Sequence, residues 1–340
     1  QQDVLLAVTT LAFDIAALEI FLPLTIGARV VVASREVASD GVQLSALLNN
    51  SQATFMQATP ATWRILLSVG WQGSKHLKIL CGGEVLSRQL ANQLLPQCHQ
   101  MWNLYGPTET TIWSTVEQVE WGEDTVSIGR PISNTDVYIL DNNLQPTPIG
   151  IPGELYIGGV GVARGYWQRP ELTAQRFITH SFQPDQRLYK TGDLVRYRSD
   201  GKIEYIGRLD RQVKIRGFRI ELGEIEAVLA KHSDVQQAVV IAKQDSLIAY
   251  VVSCSGRTAI VSELRDFLKQ KLPYYMVPQA FVFLDSLPLT PNGKVNRNAL
   301  ADADTPIANF NDAFVPPRNA IEEVLAGIWA KILGVELGIH

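Results

Sequence analysis

Cysteine is scarce: Cys81, Cys98 and Cys254 are the three in 340 residues, spaced far apart, with no CxxC and no neighbouring His pair. A disulfide framework and a thiolate metal centre are both poorly served by that pattern, and a reducing cytoplasm is the expected location. Long hydrophobic runs are missing too, so no segment reads as a membrane span and no membrane partner is expected. Charge of one sign is not in excess: 30 basic and 34 acidic residues leave a net charge of -4, with no basic stripe to grip nucleic acid or a lipid surface. A Walker-type GxxxxGK[ST] loop is absent, and the glycines of "GGVGVARG" miss the dinucleotide spacing. The opening "QQDVLLAVTTLAFDIAALEIF" has neither an initiating Met nor the form of a signal peptide, so the chain is expected to begin inside a longer protein.

What is present is a globular composition, 46% hydrophobic and 19% charged, in a chain long enough for two or three domains. "ARVVVAS", "ATFMQAT" and "HLKILCGG" read as buried strands, and "VQLSALLNN", "PATWRILLSV" and "SRQLANQLLPQC" as helices between them. That alternation predicts an α/β fold with a mostly parallel, helix-covered sheet. From Ser114 the pattern turns to strands with frequent turns, and Asp200-Gly201 between two alternating runs predicts a hairpin in a small antiparallel β unit. After "GRLDRQVKIRG", helices over "ELGEIEAVLAKH" and "VSELRDFLKQKL" accompany strands over "VQQAVVIAK", "SLIAYVVSC" and "QAFVFLD", which predicts a compact α+β C-terminal domain. The expected boundaries are 1–115 and 116–209 for two parts of a large unit, 210–303 for a small one, 304–318 for a Pro-containing linker and 319–340 for the start of a further domain.

Four segments are dense in groups able to carry chemistry. "NLYGPTETTIWST" packs hydroxyls and a carboxylate behind Tyr-Gly-Pro, as suits a phosphate and its metal ion. "YKTGDLVRY" presents Asp193, "GRLDRQVKIRGFRIE" gathers Arg208, Asp210, Lys214 and Arg216, and "LPLTPNGKVNR" presents Lys294 on an Asn-Gly turn. Read singly, each has a plain alternative: a turn-closing Asp, a solvated strand Lys, a surface turn Lys, Thr residues feeding a strand.

The order of these segments resembles the adenylation domains of non-ribosomal peptide synthetases, within the superfamily of acyl-CoA synthetases and luciferases. "AFDIAALEIF", "NLYGPTETT", "GELYIGGVGVARGYWQRPELTAQRF", "YKTGDLVRY", "GRLDRQVKIRGFRIELGEIE" and "LPLTPNGKVNR" match in the family's order across residues 10 to 300. The resemblance implies ATP and Mg²⁺ as cofactors. Tyr105 would stack on adenine and Asn103 would bond its edge. Thr108 would contact the α-phosphate and Glu109 would ligate the metal. Asp193 and Arg208 would hold the ribose, Gly83 and Lys214 would complete the nucleotide contacts, and Asp210 would be the hinge between large and small domains. Lys294 would bridge the substrate carboxylate and the phosphate, then leave as the small domain turns for transfer to a pantetheine thiol.

The same resemblance places Asp14 on the α-ammonium of an amino acid, with Ile15, Leu18, Gln57, Leu80, Gly82, Leu104, Ile112 and Trp113 lining the pocket. By residue type alone, Asp14 also reads as an N-cap for "IAALEIF", and several pocket residues as plain core. The pocket set is similar to that of glycine activators, with alanine the nearest competitor. "EEVLAGIWAKILGVELGIH" resembles the first helix of a peptidyl-carrier domain, so phosphopantetheine on that carrier and an upstream condensation domain are the implied partners. The family's upstream phosphate-gripping loop has no counterpart in these residues, so the chain on its own is expected to be inactive. An acyl-CoA ligase and a non-catalytic remnant are the two alternatives. Asp14 and the carrier-like tail weigh against the first, the intact ATP-side motifs against the second.

Overall fold

A computed structural model describes residues 2–179, 186–210, 212–243, 246–254, 260–289, 295–302, 323–325 and 327. Lys294 and the 304–318 linker lie outside the described residues, as do all but four residues of 319–340. The chain divides into two compact units between Glu221 and Leu222.

The first unit opens with strand β1 (Val4–Ala7) and helix α1 (Ile15–Thr25), then β2 (Arg29–Val32), α2 (Arg35–Ser39), α3 (Gly41–Ser51) and β3 (Phe55–Ala58). It continues with α4 (Pro60–Ser68), β4 (Lys78–Gly82), α5 (Arg88–Leu94), β5 (Gln100–Tyr105), β6 (Thr115–Gln118) and β7 (Arg130–Pro131). Several helices begin where the sequence supplies partners for their free N–H groups or needs none. The Asp40 carboxylate accepts from Val42 and Gln43 at 2.9 Å ahead of α3, the Ser87 hydroxyl accepts from Leu90 ahead of α5, and Pro60 opens α4 where no donor is needed.

These strands form one seven-stranded sheet in the order β2-β1-β3-β4-β5-β6-β7, parallel from β2 to β5 and antiparallel beyond. The chain runs outward from β1 to the edge strand β2 and then returns to β3 on the other side of β1. A topological switch point therefore lies between β1 and β3, and in open α/β sheets ligands bind outside the carboxyl ends of the strands at such a point. The core beneath is apolar and close-packed around Leu6, Met56, Trp63, Leu66, Ile79 and Met101.

The antiparallel unit is the sheet β10 (Phe177–Thr179), β11 (Arg187–Tyr197), β9 (Gly153–Gly159) and β8 (Thr135–Leu140), with β12 (Ile203–Arg208) paired to β11. Asp200-Gly201 does form the β11–β12 turn, with Gly201 at φ 75°. Helix α6 (Pro170–Arg176) precedes β10, and the hairpin β13 (Gln212–Ile215) and β14 (Phe218–Glu221) completes the unit. The second unit places α7 (Leu222–Leu229), α8 (Val261–Lys269) and α9 (Arg297–Asp302) with a mixed sheet of β15 (Val235–Lys243), β16 (Ser246–Ser253) and β17 (Ala280–Phe283). Val239, Ile241, Tyr250, Val252 and Val282 form its core. The α/β fold followed by a compact α+β unit is thus the architecture expected from the sequence.

Helix α3 offers a test of how burial apportions stability. Leu44 is 0% exposed and Val42 is 66% exposed on the same helix. Leu44→Ala should cost about 2–5 kcal/mol, whereas Val42→Ala should stay within about 0.5 kcal/mol. Urea unfolding of the two variants checks this, and equal losses would contradict the assignment of α3's buried face.

Candidate functional site

Many of the residues singled out in the sequence collect at the carboxyl ends of the parallel strands. Asp14 follows β1, Gln57 lies in β3, Leu80 and Gly82 in β4 with Gly83 just after it, and Asn103, Leu104 and Tyr105 close β5. A cavity of about 750 Å³ lined by Gln2, Val4, Arg29 and Thr54 sits at the opposite, amino ends of the strands and takes no part in this arrangement.

On one side stands a buried polar cluster. The Tyr105 hydroxyl donates to Asp193 Oδ2 at 2.5 Å, and Arg208 donates from Nη1 to Asp193 Oδ1 at 2.7 Å. Arg208 also grips Asp210 with two bonds, Nε to Oδ1 at 2.6 Å and Nη2 to Oδ2 at 2.7 Å. Burial pushes the Tyr105 phenol well above its ordinary range, and the Asp193 charge adds to the shift. Burial works against the Asp210 anion, but the Arg208 guanidinium more than offsets it and holds the carboxyl below its usual value. Gly192 lets this happen: at φ 77°, a Cβ there would stand 2.7 Å from Asp210 Oδ2. The Lys214 ammonium lies 5.9 Å from the centre of the Tyr105 ring. Asn103 is buried beside this cluster, its amide donating to the Ser127 carbonyl at 2.7 Å.

The loop after β5 carries Thr108, exposed, and Glu109, buried. Glu109 accepts from the Tyr166 hydroxyl at 2.6 Å and from Arg219 Nη1 at 2.8 and 2.9 Å. Burial alone would raise its carboxyl, yet the Arg219 charge leaves it below its ordinary range, so it is an anion at neutral pH. Among the described residues no three His, Cys, Asp or Glu side chains cluster as a metal cage. A single ionised carboxylate beside a hydroxyl-rich loop fits Mg²⁺, which takes one or two carboxylates and completes its shell with phosphate and water. Arg219 occupies both Glu109 oxygens, so a metal there competes with this internal cation.

The third group is the pocket. Asp14 has helical dihedrals and makes no cap hydrogen bond to α1, so the N-cap reading of this residue does not hold. Its Oδ2 is buried without a hydrogen-bond partner. Burying a carboxylate oxygen with nothing to meet it is unfavourable, which makes Asp14 a candidate ligand-facing group. Ile15 and Leu18 are half-buried on α1 nearby in sequence, and Leu80, Leu104 and Ile112 are half-buried likewise. Trp113 packs so closely on Gly82 that a Cβ there would lie 2.4 Å from its Cη2. The Trp113 N–H bonds back to the Thr111 carbonyl at 2.9 Å, a γ-turn centred on Ile112 at φ 68°. That turn is rare and strained, the more so for a β-branched residue, and it delivers the indole to the sheet end.

Three residues here escaped notice in the sequence: Glu19, Tyr166 and Arg219. Glu19 is 0% exposed and accepts from the Val8 and Thr9 N–H groups, the Thr9 hydroxyl and the Gln57 amide. Its signal was a lone acid in an otherwise apolar helix. Burial raises its carboxyl, and the Thr9 hydrogen bonds oppose that most. Tyr166 and Arg219 carried no signal separable from ordinary surface residues.

Comparison with known proteins agrees with this geometry. The AMP-binding enzyme family matches residues 1–167, and the AMP-binding enzyme C-terminal domain matches residues 224–294. A dimodular nonribosomal peptide synthase of Bacillus subtilis (strain 168) is 48% identical over 342 residues, covering 98% of this chain and 14% of that protein. The chain therefore spans a small part of that relative's length. A solved four-domain nonribosomal peptide synthetase bound to AMP and glycine is 45% identical, with a TM-score of 0.60 over 100% of this chain and 26% of the other. A Vibrio cholerae adenylation domain in complex with glycyl-adenosine-5'-phosphate is 25% identical, with a TM-score of 0.78 over 88% of this chain and 58% of the other. With two family matches in order along the chain and the polar clusters gathered at the strand ends, the chain belongs to the AMP-binding family of ATP-dependent adenylate-forming ligases, as an adenylation domain of the nonribosomal peptide synthetase kind.

Proposed function

We propose that this chain activates glycine as glycyl-AMP and passes it to the pantetheine thiol of a carrier domain in a larger synthetase. The observation that carries the reading is the orphaned buried oxygen of Asp14, an anion waiting for a cation. An α-ammonium meets it, and an acyl group without an amine leaves it unpaired, which is the argument against an acyl-CoA ligase. Beyond that anchor the pocket has apolar walls and no charge for a side chain. Trp113 lying on Gly82 takes up the space that a larger substrate needs. The solved relatives bound to AMP with glycine, or to glycyl-adenosine-5'-phosphate, point the same way.

In the reaction, a carboxylate oxygen of the amino acid attacks the α-phosphorus of ATP and the bond to pyrophosphate breaks. Tyr105, Asn103, Gly83 and Lys214 hold the nucleotide, while Asp193 and Arg208 take the ribose, a carboxylate being able to accept from two hydroxyls at once. Thr108 meets the α-phosphate. Glu109 would hold Mg²⁺, which would neutralise phosphate charge. Lys294 would bring positive charge to the point where two anions meet. Asp210 is the hinge about which the smaller domain turns before thioester formation.

Amino-acid-dependent pyrophosphate exchange by the parent protein, run across the twenty amino acids, should favour glycine. Alanine should follow closest, since excluding one methyl is worth only about 1–3 kcal/mol. Preference for leucine, phenylalanine or a charged amino acid would overturn the reading. Asp14→Asn should lower kcat/KM for glycine by about a hundredfold or more, as removing one partner of a buried charge pair costs about 2–5 kcal/mol. Unchanged activity would detach Asp14 from the ammonium. Lys294→Ala should abolish adenylate formation while sparing thioester formation from preformed adenylate, and equal loss of both half-reactions would point to misfolding or a different role.

A further inference from the structure

Trp113 ends a relay that begins outside the pocket. Its indole N–H donates to Gln57 Oε1 at 2.8 Å, and Gln57 Nε2 donates to Glu19 Oε1 at 3.2 Å. The Thr9 hydroxyl donates to the same Oε1 at 2.5 Å, while Oε2 accepts from the N–H groups of Val8 and Thr9 at 3.0 and 3.1 Å. Glu19 is 0% exposed, Gln57 1% and Trp113 7%, so water does not substitute for these bonds.

The direction of every bond follows from which groups can donate. An indole N–H only donates, so Gln57 must turn its carbonyl oxygen to Trp113 and its NH₂ to Glu19. Residue 19 then faces donors on both sides: two backbone N–H groups at one oxygen, an amide and a hydroxyl at the other. A carboxylate, with two acceptor oxygens, satisfies both sides. An amide of the same shape does not, because one of its ends is a donor. Its oxygen would be claimed by the backbone pair, its NH₂ would face Gln57, and Gln57 would have to flip and present NH₂ to the indole N–H.

We propose that Glu19 is a positioning residue for substrate size, acting through Gln57 to hold the Trp113 indole against Gly82. The inference rests on the amino-acid reading of the pocket given above. It assigns to a helix residue with no expected role the task of fixing the wall that separates glycine from alanine. The strained turn at Ile112 gives that wall reason to need holding, since the backbone delivering Trp113 is in a sparsely populated, costly conformation.

A double-mutant cycle in the parent protein tests this, read as the ratio of kcat/KM for alanine to that for glycine in pyrophosphate exchange. Glu19→Gln should raise the ratio about tenfold, within what one methyl commands. In the Trp113→Phe background, where no indole N–H remains to be opposed, Glu19→Gln should leave the ratio unchanged. The same factor in both backgrounds, or none in either, overturns the proposal. A second readout needs no substrate. In protein labelled with 5-fluorotryptophan, the Trp113 fluorine resonance, assigned by its loss in Trp113→Phe, should move in Glu19→Gln. An unmoved resonance overturns the coupling. A moved resonance with no amino acid activated keeps the coupling and removes the substrate reading instead.

Discussion

Buried carboxylates need donors, and the upper end of the parallel sheet is organised around supplying them. Asp193 receives the Tyr105 hydroxyl and Arg208, Glu109 receives Tyr166 and Arg219, and Glu19 receives two backbone N–H groups, a hydroxyl and an amide. An unpaired ion in such surroundings would be costly, and in each of these cases the protein provides the partners itself. Asp14 departs from that pattern, with one buried oxygen left over. The contrast gives the orphan its meaning. Next to three buried acids whose partners the protein supplies, that oxygen is the one on which the proposed amino-acid reading rests.

The strand and helix pattern was legible because buried parallel strands are short continuous apolar runs and the helices between them repeat at their own period. The motif segments were legible by residue type and order. What the sequence did not carry is the crossing from β2 to β3 over β1, which decides that Asp14, Gln57, Gly82 and Tyr105 share one end of the sheet. Nor did it carry side-chain reach. Asp14 read equally as a helix cap, and only its helical dihedrals and missing cap bond separate the two roles. Glu19 escaped notice because a helix wheel cannot tell a solvated acid from one turned towards Val8, Thr9 and Gln57.

Glu109 shows how a buried acid on the loop after β5 is held within the fold. Its anion is buried whether or not a metal is present, so something cationic has to stand there, and Arg219 on β14 does so at 2.8 Å. A metal drawn to Glu109 would compete with that guanidinium for the same two oxygens, and either cation would compensate the buried anion.

Discrimination between glycine and alanine sets a different demand from binding either one. An apolar pocket gains little by attraction from a substrate that lacks a side chain, so selectivity comes from a wall that does not yield. A methyl group is worth only about 1–3 kcal/mol, and a side chain that can swing aside by a fraction of an ångström gives most of that back. Packing alone is a weak restraint on an indole delivered by a strained turn. A hydrogen bond whose direction is forced, from indole to amide to a carboxylate that can only accept, restrains the ring at its polar edge while Gly82 limits it at the other. On the proposed reading, the burial of Glu19 is accounted for by the stiffness it would lend to a wall it does not touch.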